Sequence, residues 1–315
     1  MPRAPRRRPT TWPIATRRFK VHAGDLGRAP RDSDSFTEFW DGLPHLLAAD
    51  SLRGVVRAIA EARRKRKPVV FGFGAHVVKT GLSPTLVALM RAGYVTALAT
   101  NGASGIHDFE LATHGATSED VGAVLGDGEF GMSRETGVGV FRALREGRKK
   151  GWGYGRALGE FLRRGRSPHR HLSIFAAAAE LGLPLTVHVA LGTDTLAQHP
   201  RMDGALVGEL SMRDFATLQQ VVARLGEGGV FLNVGSSVIL PEVFLKALSL
   251  SRNLGYEVRN FTTVDLDMIR HYRPQENVLK RPILAGGASY AITGHHEITL
   301  PLLAQALILG LGERA

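Results

Sequence analysis

The sequence predicts an α/β fold with a Rossmann-like, doubly wound and mostly parallel sheet that carries helices on both faces. Two observations lead to this prediction. Short apolar runs of strand length alternate along the chain with longer segments whose apolar residues recur at helical spacing, which is typical of parallel sheets covered by helices. Several of the short runs also end in small, glycine-rich turns, where open α/β sheets build their ligand sites.

The predicted strands are short apolar runs, and the predicted helices lie between them. The strands cover residues 68–74, 95–99, 185–191, 230–234, 256–264 and 289–294. The helices cover residues 43–62, 82–92, 172–181, 216–225, 242–253 and 298–309. The long segment 106–176 is predicted to be mostly helical, with interruptions at its glycine-rich turns. We find no internal repeat, so the chain does not read as a solenoid.

Two of these helices have clear end signals. Residues 43–62 repeat apolar side chains at helical spacing, and the basic run 63–67 closes the helix, where cations are favourable. That run could contact nucleic acid, but a solvated helix end is the favoured interpretation. In the segment 82–92, Ser83 suits the N-cap position and Pro84 suits the first helical position.

Composition bounds the class of protein. The chain has 315 residues, of which 44% are hydrophobic and 22% charged, as is ordinary for a globular protein. Cysteine is absent, which excludes disulfides, thiolate metal sites and cysteine nucleophiles. No apolar run approaches the ~18 residues of a membrane span. We therefore expect no membrane partner and a cytoplasmic protein.

The positive charge is concentrated at the start of the chain. Residues 1–31 hold nine Lys or Arg and one Asp, while the whole chain has a net charge of +11. Five prolines lie in residues 1–35, so we predict an extended basic arm there and a single α/β domain over residues 36–315. The arm could contact nucleic acid, although a solvated tail or packing on a sister subunit is favoured. Arg17 and Arg18 resemble a twin-arginine signal, but no apolar region follows, so export is not predicted.

Residues 95–110 contain the clearest indication of a ligand site. An apolar run stops at Thr100-Asn101-Gly102-Ala103-Ser104-Gly105, and a new helical segment follows at once. Strand, glycine-rich turn and helix start is the order in which open α/β sheets form ligand sites. Polar residues crowd this turn, namely Asn101, Ser104, His107 and Asp108. The stretch is predicted to form the floor of an active site.

A second glycine turn, residues 72–80, follows the first predicted strand. It begins like a dinucleotide fingerprint, but Val77 occupies the place of the third glycine. It ends in Lys-Thr like a phosphate-binding loop, but Val78 replaces the glycine that would let the backbone wrap a phosphate. We therefore predict a turn that positions His76 beside a ligand, with a tight turn of no function as the alternative.

A third turn, Gly235-Ser236-Ser237, follows the predicted strand 230–234. Small residues there can leave backbone amides of a helix N-terminus free to face an anion. Ser236 or Ser237 could equally be a plain N-cap, and the sequence favours neither interpretation.

Histidines and aspartates supply the remaining candidates. None of the histidines forms the i, i+4 pair of a zinc helix, so no metal site is predicted. His295 and His296 are adjacent, and adjacent strand residues point to opposite faces, so at most one of them faces a given site. His295 is the favoured acid–base candidate because it follows the end of a strand, whereas His188 inside an apolar strand is expected to be a core histidine. Asp194, Asp265 and Asp267 follow strands and could bind a cation or ribose, or cap turns.

Several of these motifs together resemble the deoxyhypusine synthase family, over residues 71–306. Residues 75–82 look like its S-N-L-V-S-S-G-L turn, and Thr100 to Asp108 look like its T-T-A-G-G-V-E-E segment. Residues 190–194 are similar to its A-L-T-D, with one residue inserted. Residues 273–278 resemble R-P-D-E-A-V, and residues 295–303 resemble D-A-T-L-V-F-P-L-L.

The resemblance implies a Rossmann-like fold, NAD as cofactor and a homotetramer. It places the cofactor on residues of the three turns, namely Gly74, Ala75, Thr80, Asn101, Gly102, Ala103, Ser104, Gly235 and Ser236. It implies substrate binding by Asp108, Asp194 and Glu276. The family's imine-forming lysine aligns with Pro282, so Lys280 is the nearest candidate for that role, and the family's late aspartate is His295 here.

These departures favour an amine-type substrate other than spermidine. The leading hypothesis is a deoxyhypusine synthase-like, NAD-dependent transferase that oxidises a C–N bond and transfers or releases the activated fragment. Lys280 would capture an imine, and His76 or His295 would move protons. Two alternatives stay open: an enzyme on the same fold that does not use NAD, and an RNA-binding protein that uses the basic arm.

Overall fold

The structure, a computed structural model, describes residues 9–314. The described chain divides into two compact units, one ending at Asp50 and one beginning at Ser51. The predicted basic arm falls in the first unit, and its first eight residues lie outside the described residues.

The first unit has little regular structure before its first helix. Two short 3-10 turns, Ile14–Thr16 and Ala23–Asp25, precede α1 (Phe36–Asp41). Ser35 caps α1 and forms a capping box with Glu38, in which each side chain accepts from the other residue's backbone N–H. The side chain of Arg28 pairs with Asp34 at 2.7 Å. Hydrogen bonds from Arg28 and Arg31 hold the pKa of Asp34 below its usual value.

The second unit is built on one six-stranded sheet in which every neighbouring pair is parallel. Its strands are β1 (Val69–Phe73), β2 (Ala97–Asn101), β3 (Leu185–His188), β4 (Val230–Val234), β5 (Phe261–Asp267) and β6 (Gly287–Thr293). Their order across the sheet is β3-β2-β1-β4-β5-β6, which is the order of Rossmann dinucleotide-binding folds. The predicted fold class is therefore confirmed.

Helices connect the strands. They are α2 (Leu47–Arg64), α3 (His76–Lys79), α4 (Ser83–Arg91), α5 (Gly102–His114), α6 (Val121–Val124), α7 (Arg134–Lys149), α8 (Tyr154–Arg164), α9 (Ile174–Leu181), α10 (Gly204–Val222), α11 (Ile239–Asn253), α12 (Tyr272–Pro274) and α13 (His296–Ile308). A π-helical segment, Gln275–Lys280, follows α12. The segment predicted to be mostly helical contains α5 to the start of α9, and α6 and the turns around it form its irregular part.

The core consists of alternating strand residues covered by helices. β1 is buried along its whole length. On one face of the sheet, α10 and α11 share a buried cluster with strand residues that include Val70, Ala97 and Phe231. Phe231 stacks on Phe244 of α11 with ring centroids 3.7 Å apart. Side chains such as Phe71 alternate with these along the strands and therefore face the other side.

The strand order reverses between β1 and β4, and the chain approaches itself closely there. The backbone N–H of Gly74 donates to Val234 O at 2.9 Å. A β-carbon on Gly74 would overlap the carbonyl oxygen of Gly235. Gly235 has φ +65°, and a β-carbon there would meet the ring of His296. This switch point lies at the carboxyl ends of the strands, where ligands of open α/β sheets bind.

Most element boundaries differ little from the predicted ones. The prediction was least accurate for two segments. The fifth strand begins at Phe261 rather than at residue 256, because residues 256–260 belong to the loop that follows α11. α10 begins at Gly204, twelve residues before the predicted start, because Asp203 caps it by accepting from Leu206 N–H.

Residues 9–314 show neither a membrane-spanning helix nor a cluster of metal ligands. Within that part of the chain, no helix combines the length and apolarity that crossing a membrane requires. The same residues contain no group of three or more His, Asp or Glu side chains that could hold a metal ion.

Candidate active site

The first part of the candidate site is the switch point between β1 and β4. It brings together four of the predicted cofactor residues, Gly74, Ala75, Gly235 and Ser236, from two distant parts of the chain. His76 begins α3 there, is half-buried, and lies edge-on to His296 with ring centroids 5.6 Å apart. Ser236 acts partly as a cap, because its Oγ accepts from Leu240 N–H at 3.2 Å.

Buried polar atoms without partners lie beside this switch point. His296 is fully buried, and its Nε2 lies 3.1 Å from Leu266 O. A carbonyl oxygen only accepts, so Nε2 carries the proton and Nδ1 is an acceptor, which has no partner among the described residues. Asn233 donates to Asp265 at 2.8 Å and to Ser236 O at 2.9 Å, while its own Oδ1 also lacks a partner. Orphaned buried acceptors at a switch point indicate room for a donor from a ligand or a water.

Asp265 continues this polar cluster on β5. Burial raises its pKa to about 6, and the charge of Asp267 adds to the rise, while the hydrogen bond from Asn233 opposes it. The carboxyl group is therefore close to half-protonated at mildly acidic pH, and it can change its charge when a ligand binds.

The second part of the site is the N-terminus of α5. Asn101 caps this helix by accepting from Ser104 N–H at 3.0 Å. Ser104 is fully buried, and its Oγ bonds to Asn101 and lies 2.6 Å from Thr100 Oγ1. The Asp194 carboxylate takes a hydrogen bond from the backbone of Ala103 and fills the space where a β-carbon of Gly102 would lie. Thus this helix end already holds an anionic group of the chain itself.

The third part is a cavity of about 520 Å³ beside α5. Its volume is in the range of small-molecule sites. It is lined by residues of α5, the loop 116–121, the segment 130–136 and the loop 193–196, together with Lys79 of α3. The charged or titratable residues among them are Lys79, His107, Glu110, His114, Glu119, Glu135 and Asp194. Since α3 carries His76 at one end and Lys79 at the other, the cavity adjoins the switch point.

A chain of hydrogen bonds orders the wall of this cavity. Thr117 Oγ1 donates to Glu110 Oε2 at 2.5 Å and lies 2.7 Å from His107 Nδ1. Thr136 Oγ1 donates to the other carboxylate oxygen, Glu110 Oε1, at 3.2 Å. Since the proton of Thr117 points to the carboxylate, its oxygen accepts from His107, which places the imidazole proton on Nδ1. His107 Nε2 is then a free acceptor with no hydrogen-bond partner among the described residues.

The same hydrogen bonds set the charge of Glu110. Burial alone would raise its pKa, but the His107 imidazole 3.8 Å away and the hydrogen bond from Thr117 outweigh that, so the pKa lies below its usual value. Glu110 is therefore ionised at neutral pH. Asp194, which also lines the cavity, has a pKa raised to about 6 by burial. Acidic groups outnumber the cations of the cavity at neutral pH, and the site favours a positively charged ligand.

Asp108 lies on the other face of α5 from this cavity. Its side chain is fully buried, with Ser173 Oγ donating at 2.5 Å and Ile174 N–H at 2.7 Å. Burial raises its pKa to about 7 in spite of these bonds. The carboxyl group joins the N-terminus of α9 to α5, so its placement gives it a structural role and does not support the predicted contact with substrate.

Four other predicted residues do not line the cavity, namely Lys280, Glu276, His295 and Thr80. Lys280 is 63% exposed and pairs with Glu276 at 2.5 Å in the π-helical segment. His295 precedes α13 with a 63% exposed side chain, whereas its neighbour His296 is the one that faces the switch point. Thr80 uses its hydroxyl to bond to His76 O at 2.9 Å. None of these placements supports the predicted roles of Lys280, Glu276 or His295.

Some residues of the site had no role in the sequence-based prediction. Glu110 was inside the stretch 95–110, and the i, i+3 spacing of His107 and Glu110 on a helix would have placed them on one face. Thr117 and Thr136 come from irregular segments that carry no recognisable motif. His188, by contrast, is buried as predicted, and its Nε2 lies 3.0 Å from Thr186 Oγ1.

Comparisons of sequence give no family for this chain. No family model matches it, and no curated protein matches it either. The comparisons of structure show the class, a Rossmann-like α/β fold shared with enzymes. These structures are less than 25% identical to the chain in sequence, so the likeness concerns the fold alone.

Three of these structures illustrate the likeness. An LOR/SDH-like protein from Methanococcus maripaludis S2 is 14% identical with a TM-score of 0.52, over 82% of this chain and 69% of that one. AgrE, solved with ornithine and NAD⁺, is 16% identical with a TM-score of 0.51, over 84% of this chain. This chain spans about a third of the length of AgrE, 34%. A deoxyhypusine synthase-like protein from Entamoeba histolytica is 10% identical with a TM-score of 0.50, over 88% of this chain and 94% of that one.

Proposed function

We propose that this protein is an NAD-dependent enzyme that oxidises the C–N bond of a small, positively charged amine, with His107 as the general base. The observation that carries the proposal is the hydrogen-bond chain from His107 through Thr117 to the ionised Glu110. It fixes one tautomer of the imidazole and leaves the basic Nε2 free. A base held in this way beside an acidic cavity suits the removal of a proton from a cationic substrate.

The switch point is the part of the site that fits the cofactor. The two turns approach so closely that a β-carbon on Gly74 would overlap the carbonyl oxygen of Gly235, and orphaned acceptors on His296 and Asn233 lie beside them. We propose that Gly74, Ala75, Gly235 and Ser236 hold NAD. The N-terminus of α5 does not fit a diphosphate, because the Asp194 carboxylate occupies it. Asn101, Gly102, Ala103 and Ser104 are therefore left out of the proposed cofactor site.

Oxidation of an amine CH–NH unit to an imine removes one hydride and one proton from the substrate. The chemistry that bound NAD would supply is acceptance of the hydride. His107 Nε2 accepts the proton, and Glu110 stabilises the resulting imidazolium through Thr117. Glu110 and the other cavity carboxylates also attract the cationic substrate before the reaction.

We expect water, rather than Lys280, to take up the activated fragment. A nucleophilic lysine needs a lowered pKa from burial, whereas Lys280 is 63% exposed and pairs with Glu276. The proposal thus keeps the amine substrate and the NAD chemistry of the leading hypothesis but replaces transfer through lysine by release. The homotetramer implied by the family resemblance is part of the proposal and can be tested by native mass spectrometry.

AgrE was solved with ornithine and NAD⁺, so ornithine belongs in the test panel together with spermidine and other diamines. We would measure NAD binding by calorimetry and amine-dependent formation of NADH by absorbance, with the wild type, His107→Gln and Glu110→Gln. The expected result is NAD binding by all three proteins and amine oxidation that is about 10²-fold slower in the two variants than in the wild type. Glu146→Gln is the control, since Glu146 is exposed, pairs with Arg142 and does not line this cavity.

Each unfavourable outcome has a separate meaning. If the wild type does not bind NAD, the cofactor assignment fails and the fold serves a reaction that does not use it. If NAD binds but both variants oxidise the amine as fast as the wild type, the role of His107 and Glu110 is wrong.

A further inference from the structure

A second cleft, of about 610 Å³, lies at the amino ends of the strands, whereas the candidate active site lies at their carboxyl ends. It is formed by the end of α2, the chain preceding β1, β2 and β3, and the end of α10. Its charged lining is entirely basic and consists of Arg63, Lys65, Arg66, Lys67 and Arg224. The remaining lining residues are Pro68, Gly93, Thr96, Pro184 and Val221, so no carboxylate faces this cleft.

Three of these five cations have no ion pair within residues 9–314. Arg63 pairs with Glu313 at 3.3 Å and lies over the ring of Tyr94, and Lys65 pairs with Glu61 at 3.1 Å. Arg66, Lys67 and Arg224 form no such pair in the described part of the chain. Three like charges that converge on one concave surface repel one another, so holding them together is unfavourable unless an anion is bound.

The backbone at Arg66 gives a second, independent observation. Arg66 has φ +54°, in the left-handed region that residues with a β-carbon adopt at a cost. Its N–H donates to Arg63 O at 3.1 Å, and Lys67 N–H donates to Ala62 O at 2.8 Å. Those two bonds define a Schellman motif at the end of α2, in which glycine is the favoured residue at the position of Arg66.

Other helices of this chain that end in a Schellman motif have glycine at the left-handed position. The ends of α4, α7 and α11 have the same pair of hydrogen bonds, and the left-handed residue is Gly93, Gly151 and Gly255 respectively. α2 alone among these four helices carries an arginine there. A strained arginine at the rim of a basic cleft, in a chain that uses glycine at the equivalent positions, points to a role for its guanidinium.

We propose that this cleft binds a small anion that carries two or more phosphate groups, with Arg66, Lys67 and Arg224 as its main contacts. The volume lies in the range of small-molecule sites, and guanidinium groups match phosphate oxygens in a bidentate manner. The alternative explanation is that the cations only complement the negative end of the α2 dipole. That role is already filled by Arg63, Arg64 and Lys65, which need no strained backbone.

The test uses the full chain and inorganic tripolyphosphate, measured by calorimetry at low and moderate salt. Arg66→Gly is the decisive variant because the two explanations predict different results for it. Removal of the strain should raise the melting temperature by about 1–2 °C, a smaller shift than in shorter chains because the entropy of unfolding grows with chain length. If the guanidinium binds phosphate, the same variant should bind tripolyphosphate at least about tenfold more weakly, as expected for loss of one charge-assisted contact.

Two further variants complete the design. Arg66→Lys keeps the charge but loses the bidentate fork and should lose only part of the affinity, whereas Arg66→Asn tolerates the left-handed backbone without the charge and should lose most of it. Arg64→Gln is the matched control, because Arg64 is an exposed neighbour that pairs with Glu61 and does not line the cleft. The proposal is overturned if the wild type does not bind tripolyphosphate, or if Arg66→Gly and Arg64→Gln bind it as tightly as the wild type does.

Discussion

Two carboxylates of helix α5, Asp108 and Glu110, lie two residues apart and have opposite environments. Asp108 is fully buried, and burial raises its pKa to about 7 although it accepts hydrogen bonds from Ser173 and Ile174. Glu110 faces the cavity, and the nearby His107 imidazole and the hydrogen bond from Thr117 outweigh its burial and lower its pKa. One helix therefore has a face that holds the fold together and a face that lines the cavity.

The difference shows that burial of a carboxylate does not by itself fix its charge. The donors to Asp108 are backbone amides and a hydroxyl in a fully enclosed place, and they do not compensate the loss of water. The side chain of Glu110 accepts from two threonine hydroxyls, lies 3.8 Å from the His107 imidazole, and keeps access to the cavity. The following four predictions separate the two faces.

The largest effect is expected for Asp108→Ala. The substitution leaves the hydroxyl of Ser173 and the amide of Ile174 without an acceptor inside the protein. We expect the free energy of unfolding to fall by about 2–4 kcal/mol, as is typical for the loss of a buried hydrogen-bonded network. Urea denaturation measures it. A loss no larger than that of Glu110→Ala would contradict the structural role of Asp108.

Glu110→Gln should affect the reaction rather than the fold. Loss of the negative charge removes the group that stabilises the His107 imidazolium, and we expect amine oxidation to fall by about 10²-fold, the usual scale for general base catalysis. The free energy of unfolding should change by less than about 1 kcal/mol, because the amide oxygen can still accept from one threonine while the amide NH2 donates to the hydroxyl oxygen of the other. Steady-state kinetics and urea denaturation of the same preparation give both quantities.

Thr117→Val should have a smaller effect on the same face. The isosteric change breaks the link between His107 and Glu110 while the charge of Glu110 stays in place. We expect activity to fall by about tenfold, which corresponds to about 1.4 kcal/mol. The pH–rate profile should shift as well, because the interaction between the His107 imidazolium and the Glu110 carboxylate is no longer relayed through Thr117. An unchanged profile would argue against the relay.

The smallest effect concerns the pH dependence of stability. A carboxyl group whose pKa is about 7 in the folded protein, against an ordinary value of 3.8, binds its proton more tightly when folded. Its contribution to stability is therefore complete at low pH and is lost as the pH rises towards 7. The Asp108→Asn variant should flatten the decline in stability between pH 5 and 7 by about 1 kcal/mol per pH unit. Glu110→Gln should leave that slope unchanged or make it steeper, since the pKa of Glu110 is lowered.

The fold could be predicted because its signal is local. Runs such as residues 230–234 are apolar, of strand length, and bounded by glycines, so strand and turn follow from the sequence itself. The turns that form the switch point were predicted for the same reason, and Gly74 and Gly235 came together as parallel topology requires. Local patterns therefore predict that a site forms at the carboxyl ends of the strands.

The side chains of the site were harder to predict, because the rotation of a helix about its axis is set by its neighbours. The sequence does not state which face of α5 meets α9, so Asp108 was assigned to substrate and Glu110 was not considered. His295 and His296 show the same limit, since one faces solvent and the other the switch point. Asp194 was expected to bind substrate; its carboxylate lines the cavity and also accepts from the backbone of Ala103 at the α5 N-terminus.

The contact between Gly74 and Gly235 has a consequence for protein engineering. Gly74 cannot accept a side chain without moving the turn at Gly235, and Gly235 itself is confined by the ring of His296. A library aimed at new substrate specificity should therefore leave both glycines unchanged and vary the cavity positions contributed by the loops, such as Ala116 and Phe130. Those loops can change sequence without disturbing the sheet, so new specificities on this scaffold are expected to arise there.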